Sequence, residues 1–295
     1  MNGFLGMLKP IGLSSHDAVR EVRRVLQPGS KVGHTGTLDP CATGVLVLCL
    51  GTATRLSEYM ADERKSYVAE FTFGASTDTD DCLGQLVESR GSEDLTAQAV
   101  EELLPSFCGD ILQVPPAFSA VSRGGIRSYK LARNGLAPQL EARVVHVERF
   151  RMLRFVPGRF AMGLFEIECS KGTYVRSLCR DLGKALGCGS FVSFLVRTGV
   201  GAFTIEDCPA MEDVLDMARR GELEKALVPP SAALSMPTIT IGDEDLRRVS
   251  AGRVPRIKSG LPDGIMLLLA HPSRGVVAVG RSTGGRIMLE KVLCS

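Results

Sequence analysis

A histidine and a carboxylate stand five positions apart in Val32-Gly33-His34-Thr35-Gly36-Thr37-Leu38-Asp39-Pro40. Gly33 and Gly36 permit backbone angles that other residues resist. Pro40 fixes its own φ and turns Asp39 away from helical geometry. The segment reads as a shaped loop that presents His34 and Asp39, and a carboxylate so placed can serve as a base or a nucleophile. On local grounds Asp39-Pro40 is also a plain turn capped by His34. Directly after it, Thr43-Gly44-Val45-Leu46-Val47-Leu48-Cys49-Leu50-Gly51 is an apolar run bounded by glycines, which predicts a buried strand. A polar loop anchored to a buried strand is the usual setting of a rigid site.

Three further stretches carry reactive side chains. In Ser170-Lys171-Gly172-Thr173-Tyr174-Val175-Arg176-Ser177-Leu178, Gly172-Thr173 predicts a helix start with Arg176 in its first turn. That end of a helix favours acids, so the arginine points to a partner carboxylate. Residues 65–74 alternate by two, which predicts a strand with Tyr67, Ala69, Phe71 and Phe73 on one face. By pattern alone Tyr67 is a core residue. Thr77-Asp78-Thr79-Asp80-Asp81, with Gly84, holds three carboxylates and raises the question of a metal. Cys82 stands where a calcium loop needs a further acid, and no histidine is near, so no metal site is expected.

Local signals predict the elements around these stretches. Residues 4–8 form a short strand. Ser14 and Asp17 make a capping box for a helix with Val19, Val22, Val25 and Leu26 on one face. Residues 52–60, with Arg55, are helical, and so are residues 96–107. Residues 113–120, with Pro115-Pro116, form an irregular linker. A short helix over residues 129–134 stops at Gly135. Residues 143–155 and 159–169 alternate as paired strands around Pro157-Gly158. Residues 211–220 form a helix closed by Gly221. Residues 228–231 are a linker, and short strand-like runs with many glycines beyond Pro237 suggest a small β-rich module.

Composition narrows the classes. The chain has 295 residues, 44% hydrophobic and 23% charged, enough for about two globular domains. The longest apolar runs, residues 45–50 and 265–270, fall far short of the ~18 residues of a membrane helix. Residues 1–8 lack the basic flank of a signal peptide, so cytoplasmic location is expected. Nine cysteines without a C-x-x-C pair suggest reduced thiols, and His16, His34, His146 and His271 are too scattered for a local ligand set. No phosphate-binding glycine motif is present, so no nucleotide cofactor is indicated. Net charge is only +2, but residues 237–295 hold nine Lys or Arg against five Asp or Glu, a local +4.

Gly33-His34-Thr35-Gly36-Thr37-Leu38-Asp39-Pro40, continued by Ala42-Thr43-Gly44-Val45-Leu46, closely resembles the central motif of the bacterial TruB-type tRNA pseudouridine synthases. Other segments resemble that family in the same order: Lys9-Pro10 with Gly12 and Ser14-Ser15, Lys65-Ser66-Tyr67, Gly74 to Gly84, the residues from Gln113, Gly125 with Tyr129, Ala132-Arg133 and Gly135, Gly172-Thr173-Tyr174 with Arg176, Leu186-Gly187-Cys188-Gly189, and Leu195-Val196-Arg197. The match covers roughly residues 8–203. The C-terminal match, to a PUA-like module, is loose.

The resemblance implies an α+β fold: a mixed α/β catalytic domain around a long antiparallel sheet over residues 1–232, and a PUA-like RNA-binding module over residues 237–295. It implies a cofactor-free, metal-free isomerase that flips a T-loop uridine of tRNA out of its stack. The enzyme breaks the bond from C1′ to N1 and remakes it to C5. Asp39 is then the catalytic group and Arg176 its partner. Tyr67 stacks on the target base, His34 fills the vacated space, and Tyr174, Leu195 and Arg55 contact substrate. Flipping costs a few kcal/mol, which ring stacking of about 1–3 kcal/mol per base offsets. The partner is tRNA through its T-loop and T-stem, with no membrane, and the family suggests a monomer. Two rivals are a glycoside hydrolase, which needs a second opposed carboxylate, and a tRNA folding chaperone that binds without catalysis and has no need of Asp39.

Overall fold

The computed structural model describes residues 1–118, 122–123, 126–127 and 140–293. The expectations for Gly125, Tyr129, Ala132, Arg133 and Gly135, including the helix over residues 129–134, lie outside the described residues.

The chain opens with β1 (Gly3–Lys9), then α1 (Ser15–Val25), which starts at the Ser14–Asp17 capping box. β2 (Val32–His34) and β3 (Ala42–Leu50) flank the first candidate loop. The stretch expected to be one helix with Arg55 divides into a 3₁₀ segment, Gly51–Leu56, and α2 (Ser57–Asp62). β4 (Lys65–Phe73) alternates buried and half-buried along its length, with Tyr67, Ala69, Phe71 and Phe73 buried. A small hairpin follows, β5 (Ala75–Thr77) with β6 (Leu86–Ser89). The helix expected over residues 96–107 is shorter. α3 (Ala97–Leu103) is capped by Thr96, and Pro105 turns the remainder into a 3₁₀ segment, Leu104–Phe107.

The expected linker also begins later. Gln113 closes a strand, β7 (Gly109–Gln113), and β8 (Ser122–Arg123) pairs with β9 (Ile126–Arg127) beyond it. β10 (Arg143–Val156) and β11 (Met162–Cys169) pair antiparallel, as their alternation predicts. α4 (Val175–Ala185), β12 (Ser190–Val200), β13 (Phe203–Thr204) and α5 (Met211–Arg219) complete the larger unit. Residues 228–231 are tied down rather than free. Phe4 and Val228 exchange backbone hydrogen bonds of 2.9 and 2.8 Å before α6 (Pro230–Ala233). The C-terminal part holds β14 (Thr238–Thr240), β15 (Met266–His271), β16 (Gly275–Thr283) and β17 (Arg286–Val292). It also holds a helix that strand-like runs did not suggest, α7 (Asp243–Ser250). The signal was present: Asp243, Glu244 and Asp245 open it and Arg247 and Arg248 close it, matching the helix dipole.

One sheet of nine strands organises the molecule, in the order β1-β3-β12-β4-β11-β10-β7, with β2 on β3 and β13 on β12. It is antiparallel but for one pairing. β12 runs parallel to β3 over Leu195–Arg197 and Ala42–Gly44. That pairing demands glycine at position 44: φ is +104°, and a Cβ would lie 2.2 Å from the Arg197 carbonyl oxygen. β3 reads as an unbroken apolar run because both its faces are covered. Leu46, Leu48 and Leu50 pack with α1 and α5, while Val45, Val47 and Cys49 face the C-terminal sheet. The central strands pack Phe71, Phe150 and Phe165 against one another beneath α3 and α4, with ring centroids 4.7 Å apart for Phe71 and Phe165. The C-terminal strands form a separate sheet, β14-β15-β16-β17. Leu268, Val279 and Leu293 nevertheless join Phe4, Val45 and Val47 in one apolar cluster. Removing the C-terminal part would therefore expose core. No described helix is long and apolar enough to cross a membrane.

Candidate active site

Residues 35–41, between β2 and β3, are held from three directions. The Ser15 hydroxyl, at the start of α1, accepts from Leu38 N (2.7 Å) and donates to Leu38 O (3.0 Å). Gly12 N donates to Pro40 O at 2.8 Å, so the Lys9–Ser15 turn braces the loop as well as starting α1. From β12, buried Arg197 donates to the carbonyls of Gly36, Thr37 and Val45. One guanidinium thereby ties two carbonyls of the loop and one of β3 to β12. Asp39 is thereby fixed at the rim of a cleft of about 470 Å³.

The cleft crosses the middle of the sheet. Lys65 and Tyr67 of β4 and Leu195 and Arg197 of β12 form its floor. Thr35 to Asp39 form one wall, and Arg143 to Val145 with Lys171 to Arg176 the other. Asp39, Tyr67, Tyr174, Arg176 and Leu195, all singled out from sequence, therefore meet here. Two do not. His34 ends β2 beside the cleft and is not in its wall. Arg55 lines a different cleft, with Lys31, Thr52 and Leu293, where its carbonyl accepts from Lys291.

Arg176 is the centre of charge. Its Nε lies 2.9 Å from Asp39 Oδ2, off the N–H axis, so the contact is an ion pair rather than an aligned hydrogen bond. Nη1 donates to Thr79 O (2.8 Å) and lies 3.5 Å from Asp81 Oδ2, and Nη2 donates to Phe118 O (3.0 Å). Burial works against the charge, but Asp39 and Asp81 outweigh it and hold the guanidinium pKa above its ordinary value. Two acids of the 77–81 stretch thus serve arginines, while Asp78 accepts from Gln85 N. Asp81 faces Arg176, and Asp80 pairs with Arg180 at 3.2 Å. Asp80 has φ +60°, the only positive value at a described non-glycine residue, and this bend lets Thr79 O and the Asp81 carboxylate both meet Arg176. Burial pushes the Asp80 carboxyl up to about 6, with Arg180 opposing. Among the described residues, no cluster of His, Cys, Asp or Glu is arranged to hold a metal.

The cleft is otherwise basic, lined by Lys65, Arg143, Lys171 and Arg197. Burial pushes the Tyr67 hydroxyl up to about 12, with Arg197 beside it, so at neutral pH it is a donor and not a phenolate base. Burial, then Arg197, brings Lys65 down to about 8, and its Nζ donates to Ala61 O and Glu63 O. Burial also lowers the pKa of His34, aided by Arg197 and His16, which leaves a neutral ring able to stack. A half-exposed carboxylate beside a buried guanidinium, with tyrosine rings in the same cleft, can attack an electrophilic carbon of a planar ring or its sugar. Sequence reading assigned no role to Arg197, Ser15 or Asp81. For Arg197 the signal was a lone cation inside a strand of otherwise apolar inward positions.

Comparison with known proteins agrees along the whole chain. Residues 23–175 match the model of the TruB family pseudouridylate synthase N-terminal domain, and residues 176–235 that of the tRNA pseudouridylate synthase B C-terminal domain. A tRNA pseudouridine synthase B of Pelotomaculum thermopropionicum is 40% identical over 303 residues, spanning 99% of this chain and 94% of its own. One of Symbiobacterium thermophilum is 44% identical over 259 residues, spanning 88% and 84%. Among solved structures, a Cbf5-Nop10-Gar1 complex superposes with TM-score 0.74 at 27% identity, covering 99% of this chain and 84% of that one. An H/ACA RNP bound to a substrate RNA containing 2′-deoxyuridine gives 0.73 at 25% identity, covering 99% and 85%.

Proposed function

The chain belongs to the TruB family of pseudouridylate synthases, and we propose that it converts uridine 55 in the T-loop of tRNA to pseudouridine with Asp39 as the attacking group. One observation carries this reading: Asp39 and Arg176, far apart in sequence, form an ion pair at the rim of a cleft floored by Tyr67 and Leu195. The guanidinium fixes the direction of the carboxylate. Tyr67 packs on the extruded uracil, Tyr174 contacts it from the opposite wall, and His34, beside the cleft, takes the place the base leaves. The isomerisation is redox-neutral, so these side chains suffice without a cofactor. The enzyme acts as a monomer in the cytoplasm, where tRNA is. Incubation with an unmodified tRNA transcript, followed by pseudouridine mapping, tests the reading. Pseudouridine at position 55 is expected, whereas a binding chaperone would leave every uridine unchanged.

Tyr67 separates ring from hydroxyl. Tyr67→Phe keeps the ring but removes a hydroxyl that accepts from Arg197, at a cost of about tenfold in single-turnover rate. Tyr67→Leu also loses the stacking, worth about 1–3 kcal/mol more. Equal, near-normal rates for the two would make Tyr67 a core residue of β4 and nothing else.

The C-terminal PUA-like module, residues 237–295, carries exposed Arg253, Lys258, Arg274 and Arg286, none of which forms an ion pair among the described residues. Neutralising all four should weaken tRNA binding and leave the rate at saturating tRNA unchanged. Each lost phosphate contact should flatten the plot of log affinity against log salt by about 0.7–0.9. An unchanged slope would show that these residues do not touch RNA. Substitution is the cleaner test, because truncation would open the shared apolar cluster.

A further inference from the structure

Gln113 ends β7 with its side chain 2% exposed, in register with Arg143 of β10. Its carboxamide holds both backbone groups of Tyr174, 61 residues away. Tyr174 N donates to Oε1 at 2.8 Å, and Nε2 donates to Tyr174 O at 3.1 Å. Tyr174 precedes α4 in extended geometry (φ −102°, ψ 114°), and its own side chain does not cap the helix. The grip on its backbone thus comes from another strand. The same face of α4 seizes the chain just beyond Gln113. Ser177 and Arg180 donate to Val114 O, and Arg176 to Phe118 O.

We propose that Gln113 is a positioning residue for the isomerisation. It references the start of α4 to the end of β7, so that Arg176, the second helical residue, meets Asp39 while Tyr174 stays in the cleft wall. Gln113 does not itself line the cleft. A carboxamide suits the task because it offers one acceptor to an N–H and one donor to a C=O in a single plane. Misplacement of a reacting group by about 1 Å can cost on the order of 10²-fold in rate. The assignment rests on Asp39 and Arg176 being the reacting pair proposed above.

The substitution Q113E supplies a readout that a merely structural role would not move. The new carboxyl is isosteric. When protonated it donates to Tyr174 O and accepts from Tyr174 N, restoring both bonds. When ionised it still accepts from N but sets an anion against a carbonyl oxygen. Burial should place its titration above the ordinary glutamate value of about 4.3. Single-turnover rates on a tRNA transcript are measured against pH for the wild type, Q113E and Q113A, with tRNA affinity and thermal midpoint alongside. The ratio of Q113E to wild type should approach one at low pH and fall about 10²-fold as pH rises. Q113A should be slow at every pH, with tRNA affinity within about twofold. A flat ratio for Q113E, at any level, overturns the proposal. If Q113E yields no folded protein, Q113A decides, and a folded Q113A with wild-type rate overturns it. Asp39→Asn in the same assay isolates the underlying assignment: turnover there would refute the role of Asp39, whatever the Gln113 variants do.

Discussion

Asp39→Asn should leave tRNA bound and form no pseudouridine. The substituted side chain has the same shape but no nucleophilic or basic oxygen, and its amide can turn a donor toward the Arg176 guanidinium, itself only a donor. Binding should survive because phosphate contacts, not this carboxylate, set the affinity of an RNA enzyme. Losses on removing a nucleophile are large, about 10⁴-fold or more in rate. Single-turnover measurement on a transcript and a filter-binding assay on the same preparation separate the two effects. Residual turnover within about tenfold of wild type would remove Asp39 from the chemistry.

Legibility in the sequence followed the range of the forces involved. β4 was readable because alternation along a half-buried strand is local, and α1 because its capping box lies within four residues. β3 was readable because a strand covered on both faces has no polar side to show. β7 was not, since Gly109 and Asp110 hide a strand whose sheet partner among the described residues, β10, begins 30 residues downstream of its end. Arg197 went unassigned for the same kind of reason. Its acceptors, the carbonyls of Gly36 and Thr37, lie 161 and 160 positions away, and nothing near Arg197 announces them. An arginine at a helix start pointed to some partner carboxylate, and the family resemblance named Asp39; neither named Asp81, its second carboxylate. Which acid of Asp78, Asp80 and Asp81 faces inward depends on the left-handed turn at Asp80, a backbone choice that composition does not fix.

Arg176→Ala should be the second most damaging change, and the more diagnostic one. Arg176 is 4% exposed and Asp39 29%, so the pair sits at a boundary rather than in the interior. Letting a reacting carboxylate drift by about 1 Å costs on the order of 10²-fold in rate, and that is the loss expected here. The two acids respond differently. Asp81 keeps Thr79 Oγ1, Leu83 N and the Cys41 thiol as donors, whereas Arg176 is the only ion-pair partner of Asp39 among the described residues. Without the guanidinium, the Asp39 carboxylate loses that partner and is free to turn. Arg176→Lys keeps a charge but cannot reach Asp39, Thr79 O and Phe118 O at once, so it should fall between. Added to Asp39→Asn, Arg176→Ala should cost almost nothing further, because the two act as a unit. The measurement is the single-turnover rate of both single variants and the double. A single Arg176→Ala variant that matches the wild-type rate would dissolve the pair and leave Arg176 as a strut between the Thr79 loop and Phe118.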